Sequence, residues 1–256
     1  MNWFGIKQFV KLHLPRFCNE RAIDWWLRDV RKGAVISGPF AGTRYIAESY
    51  GSSLYPKLLG TYEKELADLW QPGFVQSFDT IINIGCAEGY YLAGLGRISR
   101  QDEGKNVALL GYDLSEKAIK LCRRLLEQNG LHAKSLVAGP FDGAGLDDGK
   151  VLVICDIEGA EESVMDPMLW PELAAAFLVI EIHDKPTSTN LITLIKSRFK
   201  SSHTIQEIHF AEREEADFPP IIWPWFSSKV KKQMVDEGRL YGKDWLILRP
   251  NAPTDS

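Results

Sequence analysis

An apolar run, Ile81-Ile82-Asn83-Ile84, breaks into Gly85-Cys86-Ala87-Glu88-Gly89-Tyr90-Tyr91, and a second run, Leu109-Leu110-Gly111-Tyr112, closes on Asp113. This pairing restricts the chain to very few folds. Short apolar runs bounded by turn residues read as strands buried on both faces, which is the habit of a parallel sheet. Such a strand must turn sharply into the next helix, and Gly85 and Gly89 permit both the turn and a close approach of backbone to a ligand. Asp113, at the end of the neighbouring strand, is placed to accept hydrogen bonds from both hydroxyls of a ribose. The pattern is that of a nucleotide-binding crevice.

Two nucleotide cofactors use such a crevice, and the spacing separates them. The dinucleotide fingerprint reads G-x-G-x-x-G, with its acid about 20 residues further on. Here the glycines read G-x-x-x-G and the acid lies 28 residues beyond Gly85. The wide pyrophosphate-binding turn is missing, so S-adenosylmethionine (SAM), which carries no phosphate, fits better than NAD. The loop then makes Asn83, Gly85, Cys86, Ala87, Glu88, Gly89 and Tyr90 the expected cofactor contacts, with Asp113 and Leu114 on the ribose side. Asp142, after the third strand, is a further expected cofactor contact.

From about Ser77 onward short apolar runs alternate with helical stretches, which predicts a mainly parallel sheet covered on both faces. The expected strands are 80–84, 107–112, 135–138, 151–155, 177–182, 204–209 and 245–248. The expected helices are 88–99, 115–129, 160–176 and 190–199, with Ser115 as an N-cap and Gly130 as a stop. Residues 1–76 have another texture: 21–31 and 61–69 read as helical, 33–53 as irregular, and together they form a cap ahead of a SAM-binding domain over 77–250. An insertion near 212–232 and a polar tail, 251–256, complete the plan. Net charge is −4, so broad electrostatic binding to nucleic acid is not expected. Four scattered cysteines without a CxxC pair read as reduced core residues of a cytoplasmic protein. The apolar and lysine-bearing segment 1–16 packs on this protein, on a homodimer mate or on a membrane surface, and it is too short to span a bilayer.

Four segments give the chain a family likeness over about residues 38–250: Gly38–Tyr45, Pro56–Leu66, the loop Asn83–Tyr91, and Asp156-Ile157-Glu158-Gly159-Ala160-Glu161 with Glu181-Ile182-His183-Asp184. They resemble the FkbM-type class I SAM-dependent methyltransferases. The resemblance implies a Rossmann-like seven-stranded α/β fold, SAM as cofactor, and acceptors that include hydroxyls of sugars and of secondary metabolites. It implies an acid where this chain has Asn83. Lys57, Tyr62 and Glu63 stand in a segment expected to lie over the cofactor loop.

The residues themselves place chemistry at the ends of two neighbouring strands. The run 151–155 ends abruptly in Asp156, Glu158 and Glu161, and the next strand ends in Glu181 and His183, so acids and a histidine reach one edge of the crevice. Glu161 alone reads as a helix-opening acid that complements the dipole. Asp156 and His183 are the expected reaction centre, with Glu181 orienting the histidine. Either His183 acts as a neutral base on the acceptor hydroxyl, the favoured reading, or Asp156, Glu181 and His183 hold a divalent ion. Glu158, Trp223 and Trp225 are the expected acceptor contacts, the tryptophans through stacking on a ring. The expected activity is SAM-dependent O-methyl transfer to a small molecule or glycan. A non-catalytic SAM-binding module is the second reading and an NAD-dependent oxidoreductase the third.

Overall fold

The computed structural model describes Asp24 and residues 26–100, 107–183, 190–220, 226–239 and 244–252. The expectations for residues 1–16, Asp184, Trp223 and Trp225 lie outside the described residues. Seven strands form one sheet: β1 Thr80–Ile84, β2 Ala108–Tyr112, β3 Ser135–Ala138, β4 Val151–Cys155, β5 Phe177–Glu181, β6 His203–Ile208 and β7 Trp245–Pro250. Their order is β3-β2-β1-β4-β5-β7-β6. All pairings are parallel except those of β7, which runs antiparallel to β5 and to β6. With helices on both faces this is the Rossmann-like class I methyltransferase architecture.

The central strands explain themselves. β1, β4 and β5 are buried at all five positions, so each is mainly apolar, with Thr80 and Asn83 in β1 and Glu181 at the end of β5 as buried polar exceptions. Alternate residues face opposite cores. Ile81, Leu152, Ile154 and Val179 point into the core that holds Leu92 and Leu95 of helix Tyr90–Ser99 and Leu125 of helix Glu116–Gln128. Ile82, Val153, Leu178 and Ile180 point into the other core, against Ile195 and Phe199 of helix Leu191–Phe199. Val35, Phe40, Tyr45 and Trp70, all ahead of β1, join the first core, and the Phe40 ring packs edge-on against Tyr90 at 5.0 Å.

Three expectations change. The helix expected from residue 88 begins at Tyr90, because Ala87 and Gly89 are both left-handed, at φ 48° and 95°. The long helix expected over 160–176 is only one turn, Glu161–Val164, followed by a 3₁₀ turn at Pro171–Ala174. Pro167 and Pro171 force the residues before them out of the α region, and that is where the helix fails. Helix Ser228–Val235, which the sequence reading left out, begins at Ser227, whose Oγ accepts from Val230 N at 3.4 Å. Among the described residues no helix is long and apolar enough to cross a membrane.

Candidate active site

The strand order reverses between β1 and β4, where an open α/β sheet leaves a crevice beyond its carboxyl ends. A cavity of about 740 Å³ opens there. Its floor is the loop after β1. Gly85 N and Cys86 N donate to the Tyr112 carbonyl at 2.8 and 2.9 Å, Ala87 N donates to Asp113 Oδ2 at 2.9 Å, and Ser115 N donates to Asp113 Oδ1 at 2.8 Å. Asp113 therefore already joins the loop to the next helix. A carboxylate offers about four acceptor positions, so two remain for the hydroxyls of a ribose. The glycines serve the protein's own packing as well as a ligand. A Cβ on Gly85, at φ 78°, would stand 1.7 Å from the Asp156 carbonyl oxygen, and one on Gly89 would stand 2.7 Å from Cys122 Sγ.

The expected cofactor residues divide. Asn83, Gly85, Cys86, Ala87, Glu88, Tyr90, Asp113 and Leu114 all lie on the cavity wall, as do Lys57 and Tyr62. Leu114 is 83% exposed there, an uncovered apolar side chain beside Asp113. Asn83 is buried and donates its Nδ2 to the Ile154 carbonyl at 3.4 Å. Asp142 departs from expectation: its Oδ1 accepts from Ala144 N at 3.1 Å, closing its own turn, and Phe141 takes the place on the wall. Glu63 also stands behind the wall, salt-bridged to Arg239 and accepting from the Tyr91 hydroxyl.

Glu88 and Lys57 have a different task from the one expected. Glu88 is fully buried and accepts from Lys57 Nζ at 2.5 Å, Tyr45 Oη at 2.6 Å, Ser49 Oγ at 2.7 Å and Tyr50 N at 3.2 Å. Burial alone would push its pKa up, but the Lys57 ammonium and these hydroxyls outweigh burial and pull it below the usual range. The glycine loop is thus fastened from above by the segment ahead of β1.

The acids and the histidine of β4 and β5 do meet. His183 Nδ1 lies 2.6 Å from Glu161 Oε1, and His183 Nε2 lies 3.3 Å from Glu158 Oε2, 3.4 Å from Glu181 Oε2 and 3.6 Å from Asp156 Oδ1. Glu161 is fully buried, and its Oε1 also accepts from Gly159 N at 3.1 Å, so it orients the imidazole instead of merely opening a helix. Burial opposes a charge on His183, but the hydrogen bonds to Glu161 and Glu181 and the nearby carboxylates raise its pKa to about 10. At neutral pH the ring already carries both protons, so the base expected from the sequence has no lone pair to offer in this arrangement. Asp156 moves the other way from an ordinary carboxylate: burial and the charge of Glu181 raise it well above the usual range.

Behind this edge lies a cation that the sequence reading missed. Arg239 makes ion pairs with Glu63 and Glu181, and its Nε donates to Glu237 Oε2 at 2.8 Å. Arg213 joins Glu237 to Glu65, the latter at 2.7 Å. Arg239 lines the cavity together with Glu181 and Glu237. The only local signal was the charged segment Asp236-Glu237-Gly238-Arg239 ahead of the last strand.

No family model matches the chain. No curated protein matches it either. Solved structures do. A putative rRNA methylase from Clostridium thermocellum is similar at 13% identity and a TM-score of 0.46, over 71% of this chain and 93% of its own. The O-methyltransferase TomG from Streptomyces achromogenes, in complex with SAM, is similar at 12% identity and a TM-score of 0.46, over 74% of this chain and 81% of its own. The O-methyltransferase from Bacillus cereus, in complex with SAH, is similar at 12% identity and a TM-score of 0.43, over 96% and 97%. At this similarity the likeness carries nothing about the site, whose chemistry rests on the distances above.

Proposed function

We propose that this chain is a SAM-dependent methyltransferase that methylates a hydroxyl of a small molecule or sugar. One observation carries the reading: a cavity at the sheet's reversal point brings a phosphate-free glycine loop and the ribose-type acid Asp113 to one side and the acid-histidine edge of β4 and β5 to the other. SAM would lie across residues 85–90 with its ribose on Asp113 and its adenine between Leu114 and Phe141. Its positive sulfonium would then face Glu181 and Asp156, and a cation there would favour the ionised form of Asp156 that burial and Glu181 otherwise oppose.

Transfer is a direct displacement. The acceptor oxygen forms a bond to the methyl carbon, the carbon–sulfur bond breaks with its electron pair going to sulfur, and the hydroxyl proton leaves to the carboxylates of the β4–β5 edge. SAM brings the leaving group, so the protein contributes chiefly position and a path for the proton. Glu158, whose side chain is 72% exposed, and Ser163 stand where an acceptor would enter.

Calorimetry with SAM, S-adenosylhomocysteine (SAH) and NAD tests the cofactor. Saturable SAH binding without NAD binding is expected, and Asp113→Ala should weaken it at least tenfold, since hydrogen bonds to a charged group are each worth about 1.5–3 kcal/mol. NAD binding, or unchanged SAH affinity in Asp113→Ala, overturns the assignment. Methyl transfer from labelled SAM to a panel of sugars and phenols tests the acceptor class.

A further inference from the structure

Among the described residues, five tyrosines line the cavity: Tyr50, Tyr62, Tyr90, Tyr91 and Tyr112. Two of them commit their hydroxyls to the protein, Tyr91 to Glu63 and Tyr112 to the Ala144 carbonyl at 3.1 Å. The hydroxyls of Tyr50, Tyr62 and Tyr90 have no hydrogen-bond partner among the described residues. Tyr90 is only 7% exposed, yet its oxygen is not sealed off, and the little surface it keeps opens onto the cavity. We infer that these three tyrosines form the acceptor subsite of the proposed methyl transfer, and that the subsite takes a polyhydroxylated ring of the pyranose type; this rests on the cofactor placement given above.

The rings are held before any ligand arrives. Tyr62 and Tyr90 meet edge to face with centroids 5.2 Å apart, and the Lys57 ammonium lies 4.8 and 5.5 Å from the two centroids. The Arg239 guanidinium lies 5.6 Å from the Tyr62 centroid. Tyr50 is fixed through its backbone N, which donates at 3.2 Å to Glu88, the same carboxylate that holds Lys57. Cations over a ring face restrain it, and side chains already ordered lose less freedom when a ligand binds. The place suits an acceptor. Tyr62 is close enough to Asp156 and Glu181 for their charges to act on its hydroxyl, and that is the edge toward which the methyl group would point.

The chemistry of the wall selects the ligand. Burial, and after it the charge of Glu63, hold the hydroxyls of Tyr62 and Tyr90 well above the ordinary tyrosine range. Each therefore keeps its proton at neutral pH and can donate one hydrogen bond while accepting others. A sugar hydroxyl has the same double capacity. Three such groups on one wall, with the carboxylates of Glu181 and Glu237 beside them, match a ligand that carries hydroxyls around its rim. Its C–H faces can rest on the tyrosine rings. A simple phenol brings one hydroxyl and leaves two of the three tyrosines unserved, and a site built to bond several hydroxyls rejects analogues that lack them.

Saturation-transfer NMR on the full chain with SAH present tests the subsite without any turnover. The probes are the methyl glycosides of the common hexoses and myo-inositol, with phenol as the contrast. Saturable binding of at least one polyol is expected, and phenol should not displace it. Tyr62→Phe and Tyr90→Phe should each weaken that binding about two- to tenfold, the range of one neutral hydrogen bond. Their melting temperatures should not move, because the oxygen removed has no partner among the described residues. SAH affinity, measured by calorimetry, should be unchanged in both. Absence of polyol binding, phenol binding in its place, or polyol affinity unchanged in either variant overturns the subsite. A loss of SAH affinity in either variant also overturns it, because the hydroxyl then serves the cofactor. A wild-type chain that binds no SAH removes the cofactor assignment instead, and the same polyol titrations run without SAH then decide whether the tyrosines hold a polyhydroxylated ring.

Discussion

Replacing Lys57 by methionine removes the cation that, among the described residues, balances a fully buried carboxylate. Its Nζ lies 2.5 Å from Glu88 Oε1, and the two side chains are 3% and 0% exposed. Breaking such a buried pair from one side costs about 3–5 kcal/mol, because the other charge remains buried without its partner. Glu88 keeps hydrogen bonds from Tyr45, Ser49 and Tyr50, so the loss for Lys57→Met belongs at the lower end, about 3 kcal/mol. Glu88→Gln leaves the ammonium over the rings of Tyr62 and Tyr90, at 4.8 and 5.5 Å from their centroids, and should cost a similar amount. The double variant carries neither charge, so its loss should fall well short of the sum of the two singles. Urea denaturation followed by tryptophan fluorescence gives all three values. The same pair fixes a pH dependence. Because the folded-state pKa of Glu88 lies below its ordinary value of 4.5, its stabilisation is present above about pH 4.5 and is lost as pH falls through the folded value. Lys57→Met should flatten that acid limb. A loss below about 1 kcal/mol for Lys57→Met, or strict additivity in the cycle, would show that this contact does not anchor the segment to the loop.

Two further outcomes follow from the site. The pKa of His183 is raised from 6.5 to about 10, so its contribution to stability is full below about pH 6.5 and is lost as pH rises through about 10; His183→Gln should remove this alkaline limb in melts between pH 7 and 10, and a wild-type slope in the variant refutes the carboxylate cage. Gly85→Ala should lower stability by at least about 3 kcal/mol, from left-handed strain and a methyl pressed onto the Asp156 carbonyl, whereas Gly73→Ala, with open space around the added carbon, should change little; equal melting temperatures for the two would show that β1 and β4 do not meet as tightly as described.

The parts of this molecule legible from the chain are those whose cause is local. β1, β3 and β4 fall at the expected residues because each is an apolar run stopped by turn residues, and helix Glu116–Gln128 begins where Ser115 can accept from Ala118 N at 3.3 Å. Asp113 and Gly85 could be placed because a strand end, a glycine and an acid in sequence need no distant partner to be meaningful. Where the reading failed, a short-range rule lost to another one: Pro167 and Pro171 broke a helix whose apolar spacing alone would have continued.

Partnerships across the sheet are another matter. Glu88 looked like a cofactor contact because of its place in the loop, but its four donors come from residues 45–57, and nothing in the spacing reveals which segment will fold over it. Arg239 reaches Glu63 across 176 residues and Glu181 across 58, bringing three segments to one guanidinium. These long-range pairings also decide the electrostatics. A histidine read alone is a base that titrates near neutrality; the same histidine between Glu161, Glu158, Glu181 and Asp156 holds its proton far into the alkaline range. Which residues reach the reacting edge follows from strand order, which a sequence signals, whereas what they do there follows from the charges packed around them. In this chain that second step turns the expected neutral base into an imidazole whose proton is held by the carboxylates around it.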